Sequence, residues 1–113
     1  MNLLLNAMQA IDGAGTIRVE ISLLDGDAAI TVVDTGRGIA PEHLSNIFRP
    51  FYTTKGNGTG LGLSVARRTV EDHHGRIEVS SELGSGTTFS VVLPLRQVRS
   101  QGKIGYLLPF TTD

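Results

Sequence analysis

The chain contains a glycine-rich run that leads directly into a predicted helix, an arrangement that can bind phosphate. Residues 58–64 read GTGLGLS, and their small side chains allow a ligand to approach the N–H groups at the start of the helix. The run is not a Walker loop, because no Gly-Lys-Ser or Gly-Lys-Thr follows, nor a Rossmann fingerprint, because no strand precedes it. Taken alone, it is a weak indication of a phosphate site.

A second candidate site begins at Asp34, at the end of a predicted strand. The sequence Asp34-Thr35-Gly36-Arg37-Gly38-Ile39 places a carboxylate before glycines that permit close approach of a ligand to the backbone. Most isolated Asp-Gly loops are simple turns, so this motif needs support from the rest of the chain.

Two asparagines form a third candidate site. Asn2 and Asn6 are four residues apart in a predicted helix and therefore lie on the same face. An amide oxygen is a hard ligand suited to Mg²⁺. The alternative is that both are surface or capping asparagines.

Hydrophobic periodicity predicts the elements that position these groups. We expect a helix over residues 1–11, strands over 16–23 and 29–34, helices over about 42–47 and 61–74, and strands over 76–81 and 87–93. In the first strand, alternation places Ile17, Val19, Ile21 and Leu23 towards the core. In the first helix, the predicted apolar stripe is formed by Leu4, Ala7, Met8 and Ile11.

Local signals mark the ends of several elements. Asp25-Gly26 predicts a hairpin turn, Pro41 a helix start, and Gly75 the C′ residue after the long helix. Residues 48–62 show little periodicity and predict a long mobile loop, a kind that is usually functional.

The order of elements predicts an α+β fold, a two-layer α/β sandwich. The expected division is a domain over residues 1–95 and a tail over 96–113 that shows no clear pattern. The first helix has no N-cap, so we expect the natural protein to continue upstream with a strand and the first half of this helix. Residues 104–110 are apolar enough to cover the open sheet edge that such a truncation leaves.

Composition excludes several function classes. The 113 residues include ten basic and eleven acidic side chains, a formal charge of −1 that gives no reason to expect nucleic-acid or anionic-membrane binding. The absence of cysteine excludes disulfides, Cys-ligated zinc and thiol catalysis. No apolar run approaches the roughly 20 residues that span a bilayer.

In their order, the motifs resemble the ATP-binding catalytic domain of sensor histidine kinases, which has a Bergerat-type fold. The resemblance covers about residues 1–95 and includes the segments NLLLNA (2–7), DTGRGI (34–39), FRPFYTTK (48–55), GTGLGLS (58–64) and GSGTTF (84–89). The forms NAMQA and FYTTK are most similar to the nitrogen-sensor type of kinase.

The resemblance implies roles at the adenine base. Asp34 would accept a hydrogen bond from the adenine amino group, with Thr87 near the same base edge. Guanine presents a carbonyl oxygen there, so ATP is expected over GTP. Gly36 and Gly38 would bring backbone against the nucleotide, and Ile39 would pack either on the adenine or in the core.

The resemblance also implies roles at the phosphates. Asn6 would ligate Mg²⁺, Asn2 would line the same site, and Lys55 would contact phosphate. Gly58, Thr59, Gly60, Leu61, Gly62 and Leu63 would lie along the phosphates. Phe48 and Phe51 would either anchor or gate the lid or fill the core, and for Phe48 the core is preferred. Arg37 could reach either phosphate or solvent. Gln9 occupies a place where many kinases carry a basic residue.

The implied reaction is phosphoryl transfer from ATP to a histidine on a separate dimerisation domain, followed by a response regulator as the next partner. His43, His73 and His74 do not resemble the acceptor histidine. The implied location is cytoplasmic, with no membrane contact by this chain, although parent kinases of the family include membrane-anchored proteins.

Three other functions remain open from the sequence. Related ATPases place a water-activating glutamate where this chain has Asn2, which argues against hydrolysis. A protein-serine kinase of similar fold and a non-catalytic nucleotide- or protein-binding module are the other two.

Overall fold

A computed structural model of the chain describes residues 2–52, 62–100 and 103–107. Within them, helices pack on one face of a four-stranded antiparallel sheet, as predicted for a two-layer α+β fold. The elements of this unit are α1 (Asn2–Ala10), β1 (Ile17–Leu24), β2 (Asp27–Asp34), α2 (Pro41–Leu44), α3 (Gly62–Asp72), β3 (Arg76–Glu82) and β4 (Gly86–Pro94).

The strands lie in the order β1-β2-β4-β3. The β1–β2 hairpin turns at Asp25 and Gly26, with φ values of 49° and 84°. Two successive positive φ angles are characteristic of a two-residue type I′ turn, so the predicted hairpin is confirmed. In the resulting register, Asp34 on β2 lies opposite Thr87 on β4, and Thr87 lies opposite Ser81 on β3.

The hydrophobic core lies between the sheet and the two longer helices. Leu93 is fully buried and packs in one cluster with Val91 and with Val70 of α3. Leu3 of α1 packs against the same cluster. Burying an aliphatic side chain of this size contributes about 1.5–3 kcal/mol, so this cluster holds both helices on the sheet.

The prediction that β1 buries its apolar face is wrong. Val19 is 49% exposed, Ile21 71% and Leu23 64%. These side chains share a face with the core residues of β2, but α1 lies over β2 and β4, and β1 is an edge strand. Alternation shows which residues share a face but not how far the helical layer extends. Met8, predicted in the apolar stripe of α1, is also exposed, at 62%.

The C-terminus of α3 also differs from the prediction. His74, with a φ of 64°, is the C′ residue in place of Gly75. The His74 N–H donates to the Glu71 carbonyl at 3.0 Å and the Gly75 N–H to the Val70 carbonyl at 2.9 Å, the pair of bonds of a Schellman motif. Glycine is required at 75 for packing, because a Cβ there would lie 2.4 Å from the Val92 carbonyl oxygen.

Helix α2 begins at Pro41 as predicted, but it ends at Leu44, short of the expected residue 47. After it, the Asn46 N–H donates to the His43 carbonyl at 2.9 Å and the Arg49 N–H to the Asn46 carbonyl at 3.0 Å. These three-residue spacings are typical of tight turns and do not continue an α-helix.

The tail, in which no element was predicted, contains a second sheet of two strands. β5 (Arg96–Ser100) pairs antiparallel with β6 (Lys103–Leu107). The sequence of β5 is mostly polar, with Val98 as its one aliphatic residue, and therefore lacks the alternation by which a strand is predicted. Because β6 pairs with β5, residues 103–107 do not extend the sheet at β1.

Two further predictions concern the mobile loop and the absence of a membrane-spanning segment. Most of the predicted mobile loop lies in residues 53–61, outside the described residues. In the described part of the chain, none of the helices is both long and apolar enough to cross a bilayer.

Candidate functional site

Three polar residues form a row across the ends of three neighbouring strands. Asp34 ends β2, Thr87 lies opposite it on β4, and Ser81 lies opposite Thr87 on β3. Asp34 and Thr87 are each only 5% exposed, on the face of the sheet that the helices cover. The Asp34 carboxylate is held in place by the Gly36 N–H, which donates to Oδ1 at 2.9 Å.

Sequence reasoning did not identify Ser81, the hydroxyl that connects this row to its surroundings. Ser81 Oγ accepts from the Ile39 N–H at 2.8 Å, donates to the Gly86 carbonyl at 3.0 Å, and lies 2.8 Å from Thr87 Oγ1. The alternation of β3 could have identified it, because Ser81 falls on the same inward side of the strand as Ile77 and Val79. A polar residue at an inward position requires partners.

The strand ends that carry this row are open to a ligand on one side. A groove of about 430 Å³ is lined by Asp34, Ser81 and Thr87 together with neighbouring residues of β2, β3 and β4. Asp34 and Thr87, the two most buried residues of the row, therefore lie along a surface groove at the strand ends.

The loop after β2 is held on both sides by backbone hydrogen bonds. The Arg37 N–H donates to the Ala10 carbonyl at 3.0 Å, and the Gly84 N–H donates to the Arg37 carbonyl at 2.8 Å. The loop thereby fixes the end of α1 relative to the β3–β4 turn.

The glycines of this loop are required by protein contacts. A Cβ at Gly36 would lie 2.5 Å from the Ala10 carbonyl oxygen, and a Cβ at Gly38 would lie 2.2 Å from the Glu82 carbonyl oxygen. Gly38 also has a φ of 74°. The missing side chains face α1 and the β3–β4 turn, which accounts for both glycines without a ligand.

Arg37 is exposed to solvent, which was one of the two expectations, and it also makes a contact that was not predicted. Its guanidinium donates to the Gln9 carbonyl at the C-terminal end of α1. A cation at a helix C-terminus is favourable, because the last carbonyls lack helical partners. Arg37 therefore joins α1 to the Asp34 loop through its side chain as well as its backbone.

Asn6 lies on α1, one turn before Ala10, and is half-buried. In the described residues, no three His, Cys, Asp or Glu side chains form a metal-binding group. A single amide oxygen fits a Mg²⁺ ion that takes its other ligands from phosphates and water, which is the usual way in which proteins hold this ion. The predicted role of the Asn2 side chain lies outside the described part of the structure.

The predicted phosphate loop is described only where it enters α3. Gly62 and Leu63 begin this helix, both half-buried, and the first N–H groups of a helix have no helical acceptor. The other predicted contacts lie outside the described residues: Lys55, Gly58, Thr59, Gly60 and Leu61.

Comparison with known proteins identifies the family. A family model described as "Histidine kinase-, DNA gyrase B-, and HSP90-like ATPase" matches residues 1–97. The chain belongs to this family. The predicted resemblance is therefore confirmed, whereas the nitrogen-sensor subtype stays a prediction.

Similar full-length proteins are histidine kinases. The sensor histidine kinase ZraS of Escherichia coli K12 is 48% identical over 99 residues, which are 88% of this chain and 21% of ZraS. Sporulation kinase E of Bacillus subtilis is 45% identical over 98 residues, which are 86% of this chain and 13% of that kinase. The chain thus corresponds to a small part of each relative.

Solved kinase structures share the fold. The mycobacterial sensor histidine kinase MprB has a TM-score of 0.74 at 31% identity, covering 82% of this chain and 65% of that one. Full-length ShkA in complex with AMPPNP has a TM-score of 0.75 at 35% identity, covering 82% of this chain and 20% of ShkA.

Two phenylalanines before the predicted phosphate loop have different environments. The Phe48 ring meets the Phe89 ring edge-on, with centroids 6.3 Å apart, and the Arg67 guanidinium lies 5.3 Å from the Phe48 centroid. Phe48 therefore belongs to the packing between α3 and the sheet, as expected. Phe51 is 73% exposed and has a φ of 67°.

The three histidines of this chain make local contacts or form part of a helix end. His43 Nδ1 contacts the Tyr52 hydroxyl, and His73 Nδ1 contacts the Thr69 carbonyl at 2.7 Å. His74 forms the C′ position of α3. These placements give each histidine a structural role, and the absence of the phosphoacceptor from this chain stays a prediction.

Proposed function

We propose that this chain binds Mg-ATP and donates the γ-phosphoryl group to a histidine on a separate dimerisation domain. The observation that carries the proposal is the Asp34–Thr87 pair, buried at the strand ends and bordering a groove. A carboxylate offers only acceptors, and it suits the amino group of adenine. Guanine would set its carbonyl oxygen against the carboxylate, leaving two acceptors face to face.

The phosphates are proposed to lie between α1 and the start of α3. On α1, Asn6 would hold Mg²⁺, with Asn2 lining the site. Bound there, Mg²⁺ offsets the negative charge of the phosphate oxygens. We further propose that Lys55 and residues 58–63 line the phosphates, and that N–H groups at the start of α3 bind phosphate oxygens.

The residues of this chain would promote phosphoryl transfer by positioning ATP and by offsetting the negative charge of its phosphates. The Asp34 loop is bonded to Ala10 of α1 and to Gly84 of the β3–β4 turn, so the adenine and metal subsites are joined by a rigid connection. Fixed geometry of this kind is the main catalytic contribution expected for phosphoryl transfer. The next partner would be a response regulator, and the proposed location of the reaction is the cytoplasm.

Nucleotide binding is tested by calorimetry on the full 113-residue chain. Asp34→Asn keeps an oxygen that can accept from the Gly36 N–H, but it replaces the other acceptor with a donor. We expect ATP affinity to fall about 10- to 100-fold, because hydrogen bonds to charged groups are the stronger ones. Asp27→Asn, at the other end of β2, is the control and leaves affinity unchanged. A folded wild type that binds no ATP would contradict the proposal.

The metal is tested in the same titrations with and without Mg²⁺. Asn6→Ala is expected to remove most of the gain that Mg²⁺ gives to ATP binding while leaving metal-free binding nearly intact. Met8→Ala, at an exposed position of the same helix, should retain the full gain. An undiminished Mg²⁺ effect in the Asn6 variant would rule out this residue as the ligand.

A further inference from the structure

The hydroxyl of Ser81 is involved in three close polar contacts but has only one proton. Its oxygen lies 2.8 Å from the Ile39 nitrogen, 3.0 Å from the Gly86 carbonyl oxygen and 2.8 Å from Thr87 Oγ1. A serine hydroxyl can donate once and accept twice. All three contacts are therefore hydrogen bonds only under one arrangement of protons.

Two of the three partners leave no choice. The Ile39 N–H can only donate, and the Gly86 carbonyl can only accept, so Ser81 gives its proton to Gly86. The remaining contact is satisfied when Thr87 donates its proton to Ser81. Because β4 lies between β2 and β3, this donation directs the Thr87 proton away from Asp34.

We propose that Ser81 is a positioning residue that determines base specificity by fixing the Thr87 proton. With that proton bound to Ser81, Thr87 offers only lone pairs to a ligand, as Asp34 does. At position 6 of a purine, the two residues then favour an amino group, which can donate to them, over an oxygen, which can only accept. This inference rests on the proposed nucleotide binding and adds the residue that controls its selectivity.

The alternative arrangement shows why Ser81 matters. Without its hydroxyl, the Thr87 proton can turn towards the carboxylate of Asp34 or towards an acceptor on the ligand. A proton turned towards Asp34 occupies the carboxylate oxygen that the adenine amino group requires. A proton turned towards the ligand is a donor for the oxygen of a 6-oxo purine. Both lower the preference for the amino purine.

The test compares ATP with inosine triphosphate, which carries an oxygen at position 6, by calorimetry with Mg²⁺ on the full chain. In Ser81→Ala, we expect the ratio of the two dissociation constants to move towards unity by about three- to tenfold, the factor that one hydrogen bond is worth. Ser81→Thr retains the hydroxyl and should restore the preference. In a Thr87→Val background, Ser81→Ala should not change the ratio, because no proton remains to be oriented.

Ser90→Ala is the matched control. It removes another serine hydroxyl, one that lies 3.4 Å from Thr31 Oγ1 on the opposite face of the same sheet. It should leave the ratio of the dissociation constants unchanged. If Ser81→Ala does not fold, Ser81→Cys tests the same point, since a thiol fills the position but hydrogen-bonds weakly.

The outcomes separate this inference from the proposed function. If the wild type prefers ATP and a folded Ser81→Ala keeps the same ratio, or weakens both nucleotides equally, Ser81 does not set specificity and nucleotide binding stands. If the folded wild type binds neither nucleotide, both proposals are overturned. If Ser81→Ala instead reduces the preference for ATP over inosine triphosphate to the same extent in the wild-type and Thr87→Val backgrounds, the role assigned to the Thr87 proton is overturned.

Discussion

At the scale of single residues, Gly38 shows how closely the site loop packs against its neighbours. Its φ of 74° and the 2.2 Å that would separate a Cβ from the Glu82 carbonyl oxygen both oppose any side chain. We expect Gly38→Ala to lower the free energy of unfolding by about 2 kcal/mol or more, from the left-handed conformation together with the clash. Urea unfolding followed by circular dichroism measures this loss.

The chain offers a control that separates the two causes. Gly84 has a φ of 86°, but a Cβ there would meet no atom within 4 Å. Gly84→Ala should therefore cost only about 1 kcal/mol, the conformational part. Equal losses in the two variants would mean that the loop is not held tightly against Glu82.

At the residue level, the sequence predicted that Asp34 and Thr87 lie near each other but did not predict the hydrogen-bond partner Ser81. Asp34 and Thr87 belong to motifs that can be seen in the chain, and the structure places them side by side. Ser81 could not be found in this way, because its partners Ile39, Gly86 and Thr87 come together only through the register of β3 against β4. Its hydrogen bonds depend on distances across the sheet that local sequence does not encode.

At the scale of elements, Arg37 contacts the C-terminal end of α1. Its guanidinium donates to the Gln9 carbonyl, and its side chain is exposed. We expect Arg37→Met to cost about 0.5–1 kcal/mol, because an exposed cation at a helix C-terminus contributes little more. Hydrogen exchange should quicken at the amides of the last turn of α1, while the amides of α3 keep their rates.

The control for this substitution lies on α3. Arg68 is exposed in the middle of that helix, so Arg68→Met removes the same charge without touching a helix end. It should leave exchange in α1 unaffected. If both variants lose the same stability and neither alters exchange in α1, the helix-end contact contributes nothing.

Sequence predicted elements well where a local signal defines them. The turn at Asp25 and Gly26 was predicted because its positive φ angles favour these residue types. The burial of β1 was not, because it depends on where α1 lies over the sheet. The strands of the tail were missed because β5 shows no alternation. Such features are decided by contacts between elements.

At the scale of the whole molecule, the core and the site are held by the same two layers. The cluster around Leu93 fixes α1 and α3 on the sheet near one end of β4, and the other end of β4 carries Thr87 opposite Asp34. The layered class could be predicted from the order of elements alone. The separate β5–β6 sheet could not, so the extent of the folded unit must be tested directly.

We propose that residues 1–95 fold as a unit without the tail. The Leu95 N–H donates to the Gly26 carbonyl at 2.8 Å and so joins the end of β4 to the β1–β2 turn, whereas β5 and β6 pair with each other. A two-stranded hairpin adds little stability by itself. Deletion of residues 96–113 should therefore shift Tm, measured by calorimetry, by less than about 2 °C, whereas a lost contribution of 1 kcal/mol would lower it by about 4–8 °C.

Leu93→Ala is the positive control for a clear decrease, since truncating a buried leucine costs about 2–5 kcal/mol. A decrease of similar size on deleting the tail would show that the tail supports the main sheet, for instance by covering the exposed apolar face of β1.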